Sequence, residues 1–483
     1  MSQSVRLHSW SQVVTLVLAV GACWGCTEPA LATDSSLATD SALAVDYEVW
    51  LTDQNNSVGF SASTPRGTHG GRLLIYSGAK LEAPGGPEGA TPEVIDLAQL
   101  FAVDGPYNTT GARVVRPHMA LPSPDHRFMA LAFVASGHVA IIDGRTRTPR
   151  ALFRMSAGVF GNRQAHAAFW LPDGSGVLVA NQNGKLLERI RYDRATDTFF
   201  HDTAATLNLA TCVTPSGHPC ESRTPMSDHD PAYLGENNRP DNAPICPIVT
   251  SSGSAFITLR GGGLFVVDAM ATPLQIVAAY GNAVVGRDGC GGIQDGPMVY
   301  LNGSTGTQQT NPSEFSLYRA WDIYPSAPES IPDNHQGLTP SVFFRDNSPG
   351  RDAHGMAVTQ GPVRYLWQFD RMANVAEVFH VPSLRHVRTV DLRASGLSAD
   401  PAPDLVTRSP DGRRLYVALR GPSPQTGGHA APGSTPGIGV LTLTENGSNG
   451  ELRHVLRTSF PNPLDGREES DPHGIAVRLR SSP

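Results

Sequence analysis

One phrase returns along the chain: a strand opening of the Pro-His type, four or five apolar or small residues, a Pro-Asp-Gly type turn, and a short β-rich run. It reads Arg116-Pro117-His118-Met119-Ala120-Leu121-Pro122-Ser123-Pro124-Asp125 ahead of Phe128-Met129-Ala130-Leu131-Ala132-Phe133. It returns as Ala165-His166-Ala167-Ala168-Phe169-Trp170-Leu171-Pro172-Asp173-Gly174, and again as Pro403-Asp404-Leu405-Val406-Thr407-Arg408-Ser409-Pro410-Asp411-Gly412. In these copies the turn aspartate falls seven residues after His118, His166 and Asp404. A repeat that cannot bury both of its faces alone must stack on its neighbours, so the period dictates the architecture.

Weaker copies fill the gaps, at Pro244-Ile245, at Asp288-Gly289 and at Asp352-Ala353-His354-Gly355. The last, Asp471-Pro472-His473-Gly474-Ile475-Ala476-Val477, reaches the end of the chain without partner strands behind it. Those partners stand at the other end, as Tyr47-Glu48-Val49-Trp50-Leu51 and Arg72-Leu73-Leu74-Ile75-Tyr76. Third strands read as Gly137–Asp143, Gly263–Asp268 and Gly437–Thr442, short runs bounded by turn residues. The expected fold is therefore all-β: a seven-bladed β-propeller over 46–483, closed by N- and C-terminal strands sharing one blade. The 49 glycines and 39 prolines agree with it, since both break helix interiors. Insertions are expected at 191–243, 303–350 and 421–437, walling one mouth of the channel.

The phrases Pro472-His473-Gly474-Ile475-Ala476-Val477, Ser409-Pro410-Asp411-Gly412-Arg413-Arg414-Leu415-Tyr416-Val417 and Gly263-Leu264-Phe265-Val266-Val267-Asp268 resemble bacterial YVTN-type propeller repeats. Such repeats are similar to those of surface-layer proteins, lactonase-like propellers and the d1-haem nitrite reductase propeller. The resemblance spans roughly 46–480 and implies the fold, not an activity, because propellers host unrelated chemistries.

Residues 1–22 read as an export signal, with Arg6 ahead of the apolar run Val13–Val20, too short for a stable span. Val20-Gly21-Ala22-Cys23 resembles a lipobox with Cys23 as the lipidated residue; ordinary cleavage beside an incidental cysteine is the alternative. Residues 23–45, rich in Ala, Ser, Thr and Asp, read as a flexible tether. The expected location is the periplasm or an outer-membrane anchor, with membrane contact through the lipid only and a monomeric chain. Four cysteines then remain, and an even number in an exported chain favours disulfides. Cys212 and Cys220 flank a Pro/Gly loop and so pair with each other, leaving Cys246 for Cys290; a metal site with His218 is the alternative. A net charge of −7 excludes nucleic-acid binding through a basic field.

Equal repeat phases place one residue of every blade at one level of the channel: His118, His166, Ile245, Asp288, His354, Asp404 and His473. Four imidazoles and two carboxylates there suit a transition metal such as copper or zinc, with calcium as the harder alternative. Asp352 and Asp471, each two residues before a ring histidine, are expected to orient it. The same imidazoles could instead bond neighbouring backbone and line a wet channel. Arg260, Arg420, Asn181 and Arg371 end second strands and are candidate anion contacts, and Asp228-His229-Asp230 is a compact ligand triplet on a loop. Neither a GxSxG elbow, HExxH, a Walker loop nor CxxCH is found in the chain. Three functions stay open: a binding protein taking a small-molecule or protein ligand over the funnel, a metal-dependent oxidoreductase or lyase, and a non-catalytic scaffold.

Overall fold

The computed structural model describes residues 45–483 except 56–69, 84–85, 223–237, 305–314, 325–332, 336–337, 424–430, 463–464 and 481–483. The signal, Cys23, the tether as far as residue 44 and the Asp228-His229-Asp230 triplet lie outside the described residues. Among those described, the strands form seven four-stranded sheets, and every pairing is antiparallel. The first strands of blades 2 to 7 are Pro117–Pro122, Ala165–Trp170, Pro244–Val249, Gly292–Asp295, Ala353–Val358 and Pro403–Arg408. Blade 1 is led by the C-terminal strand Pro472–Leu479, followed by Tyr47–Asp53, Arg72–Ser77 and Glu93–Asp96. At this seam Val49 stands opposite Val477 and Leu51 opposite Ile475. First strands of neighbouring blades pack on one another, so they line the ring.

Turn chemistry explains the hairpins. Ser123, Leu171 and Ser409 each donate their amide across the turn, to Phe128, Gly176 and Arg414. Gly174 and Gly412 take φ of 70° and 71° there, the left-handed region glycine enters without a steric cost. Alternate strand residues then bury between blades, as Trp367, Phe369, Leu415, Val417 and Leu441 do between blades 6 and 7.

Two expected insertions are smaller than the sequence suggested. Residues 191–208 belong to the blade strands Leu186–Asp193 and Thr198–Asn208, which leaves 209–243 as the excursion. Within 303–350, Phe315–Trp321 and Ser341–Asp346 are the third and fourth strands of blade 5. The outer strands Thr198–Asn208 and Ser341–Asp346 are mostly half-exposed or exposed and lack the strict apolar alternation that marks a buried strand. Blade 7 resumes at the strand Gly437–Thr444, paired with Arg414–Leu419.

Candidate functional site

A recurring hydrogen bond sets the level of each blade. The amides of Gln54, Val134, Gln182, Arg260, Ser304, Arg371 and Arg420 donate to the carbonyls of Asp471, Arg116, Gln164, Ala243, Arg287, Asp352 and Ala402. Two residues beyond those carbonyls stand His473, His118, His166, Ile245, Gly289, His354 and Asp404. Blade 5 thus contributes Gly289 rather than Asp288, a correction of one residue. A second bond agrees: Thr258 Oγ1 donates to the Gly289 carbonyl, as Thr52 Oγ1 does to that of His118. The register escaped the sequence because Cys290 is an extra residue. Asn302 accepts from Gly291, where Thr52 accepts from Gly474 directly after the channel position. Asp288, half-buried, is pushed up to about 7 by burial, with Arg260 and Arg287 pulling down and Asp352 and Asp241 pushing up.

The level is therefore lopsided. Ile245 and Gly289 occupy one side, and five chemistry-bearing side chains form an arc on the other. Along it the ring centroids of His166 and His118 lie 4.3 Å apart, those of His118 and His473 3.9 Å, and those of His473 and His354 5.5 Å. Asp404 sits between His354 and His473, with Oδ1 3.0 Å from His354 Nε2 and Oδ2 3.7 Å from His473 Nε2. One donor atom from each of His354, Asp404 and His473 falls within 4.8 Å of the others, and all three residues are buried. Asp404 Oδ1, His118 Nδ1 and His473 Nδ1 take part in no hydrogen bond among the described residues. Buried polar atoms are normally satisfied, so such atoms in the arc call for an explanation.

Behind the arc two guanidiniums and three carboxylates form a dry chain. Arg371 donates to Asp352 through Nε and Nη2 at 2.8 and 2.7 Å and reaches Asp404 Oδ2 at 3.4 Å. Arg420 donates to the same Asp404 oxygen at 2.7 Å and grips Asp471 at 2.6 and 2.7 Å. Asp352 and Asp471, expected to orient the histidines, thus engage the guanidiniums that hold Asp404. Arg371 and Arg420, read as anion contacts, find those anions within the protein. Arg260 likewise takes Asp241, at 2.6 Å, and Asn181 donates to Glu188 at 2.7 Å.

Burial pushes Asp404 up, while Arg371 and Arg420 pull against it. His118 and His473 are held well below the ordinary imidazole range, first by burial and then by neighbouring imidazoles and Arg420. Both therefore carry a lone pair at neutral pH, the form in which imidazole ligates metals.

The cysteines form two disulfides, Cys212–Cys220 and Cys246–Cys290, with Cα separations of 5.3 and 5.1 Å. The second ties blade 4 to the entry of blade 5 at the channel level. His218, the alternative metal partner, places Nδ1 3.2 Å from Asp333 Oδ2.

No family model matches the chain, and no curated protein matches it in sequence. Among solved structures it is similar to a candidate 6-phosphogluconolactonase of Bacteroides fragilis, with TM-score 0.51, 12% identity and coverage of 90% of this chain and 99% of that one. The corresponding protein of Bacteroides uniformis gives 0.51 and 14%, covering 89% and 99%. The periplasmic gluconolactonase of Pseudomonas aeruginosa gives 0.50 and 13%, covering 90% and 99%. The fold is that of the lactonase-like seven-bladed propellers. At this identity the likeness concerns the backbone architecture, and the propeller's chemistry has to be read from its own side chains.

Proposed function

We propose that the protein is an exported propeller that holds a transition metal, zinc or copper, at His354, Asp404 and His473. The observation that carries this reading is the set of three buried donor atoms within 4.8 Å of one another. Two imidazoles and one carboxylate suit zinc and copper better than calcium, which prefers six to eight oxygens. Three protein donors leave a fourth position for a small ligand. The arc lies at the starts of the first strands. Export is supported by the two disulfides, which persist in oxidising compartments. Cys23 is the proposed lipid anchor.

Elemental analysis of chain purified without chelator is expected to find about one equivalent of metal, lost in the His354→Ala/His473→Ala variant. A chain that takes up no zinc, copper, manganese or calcium would defeat the metal reading and leave the arc as a structural support. Cys23→Ala is expected to move the protein from the membrane to the soluble fraction; unchanged membrane fractionation would refute the anchor.

A further inference from the structure

The opposite end of the channel holds a second site. Its evidence is independent of the metal reading, because the first strands carry the two at opposite ends. His354, Asp404 and His473 stand at their starts, whereas Val358, Arg408 and Leu479 stand at their far ends. There a cavity of about 820 Å³ opens among blades 5, 6, 7 and 1. That volume is in the range of small-molecule sites. Met356, Val406 and Val477 give it an apolar wall, and Arg364, Asp295 and Arg408 a charged one.

The charges there do not cancel. Arg364 pairs with Asp295. Half-buried Arg408 donates Nη1 to the Val358 carbonyl and has no carboxylate in ion-pair range among the described residues. Burial pulls its guanidinium below the ordinary arginine range, and Asp295 offsets this from a distance. A partly desolvated cation is costly unless an anion joins it. Arg408 lines the cavity, and a guanidinium's planar fork matches two parallel oxygens of a carboxylate. One uncompensated positive charge beside an apolar wall calls for one negative charge on an apolar body.

We propose that this cavity binds a small organic monocarboxylate, its carboxylate on Arg408 and its hydrocarbon part against Met356, Val406 and Val477. Titration calorimetry of the full chain with hexanoate, octanoate and benzoate is the test. At least one is expected to bind once per chain with a Kd below about 1 mM. Octanamide and inorganic phosphate are expected to bind at least about tenfold more weakly, the first lacking charge and the second an apolar body. Arg408→Gln is expected to weaken binding about tenfold or more and Arg408→Lys less, since lysine keeps the charge and loses the fork. Bound metal should be unchanged in both variants, which separates this site from the arc. Should Arg408→Gln fail to fold, the lysine variant carries the comparison. Silence from all three carboxylates, undiminished binding in both variants, or phosphate binding as tightly as octanoate would overturn the proposal.

Discussion

Glu48→Gln lowers the stability of the propeller by about 3 kcal/mol at neutral pH and makes its loss of stability in acid shallower. Glu48 lies on the first N-terminal strand, 1% exposed, where the ring closes. Its carboxylate accepts from Arg478 at 3.0 Å and Arg480 at 3.0 Å, both beyond the His473 end of the chain's last copy. It also accepts from Trp50 at 3.0 Å and from Arg147 of blade 2 at 2.5 Å. One carboxylate thus joins both termini to the neighbouring blade. Breaking a buried pair by removing one partner is costly because the other charges stay behind, here three guanidiniums around a neutral amide.

The pH dependence follows from the same contacts. Burial alone would raise Glu48, but the hydrogen bonds and charge of Arg147, with Trp50 and Arg480, outweigh it and hold the group at about 2. Its usual value is 4.5. A carboxyl depressed on folding contributes stability that is complete above the unfolded value and fades as pH falls through the folded one. Thermal unfolding of the wild type should therefore lose this contribution between pH 4.5 and about 2. The glutamine variant should show a shallower slope there. Equal midpoints at neutral pH for the two proteins would refute the assignment.

How far the sequence reaches is visible at particular residues. The Asp125, Asp173 and Asp411 turns, each seven residues after a channel position, carried blade count and phase, because hairpin chemistry is local. The unpartnered copy at His473 announced the shared blade for the same reason. Blade 5 misled by one residue, since an extra Cys290 is visible only through the bonds that Asn302 and Thr258 make. The histidine arc was legible as a set of residues but not as a shape. Nothing local says that Gly289 and Ile245 empty one side and crowd the other. The guanidinium chain was missed in role rather than position. Arg371 and Arg420 end equivalent strands, yet their carboxylates come from different blades, and Arg420 meets Asp471 across 51 residues of sequence.

That chain makes Arg420 the residue whose loss is felt most widely. Arg420→Leu is expected to cost about 3–5 kcal/mol, the usual penalty for stranding buried charge. The guanidinium is 1% exposed and satisfies two carboxylates, Asp404 and Asp471, that are 0% exposed. Its removal leaves Asp471 in the dry interior with the Asp53 side chain, which accepts from the Asp471 amide at 2.8 Å. Asp404 would keep Arg371 at 3.4 Å, and Asp471 would keep the charge of Arg116 nearby but lose its paired guanidinium bonds. Arg420→Lys should recover only part of the loss, because one ammonium cannot reproduce the paired bonds at 2.6 and 2.7 Å. Coupling is the sharper test. Chemical denaturation of Arg420→Leu, Asp471→Leu and the double variant should show the double losing less than the sum, by about 1–3 kcal/mol. Strict additivity would mean that the two side chains touch without depending on each other.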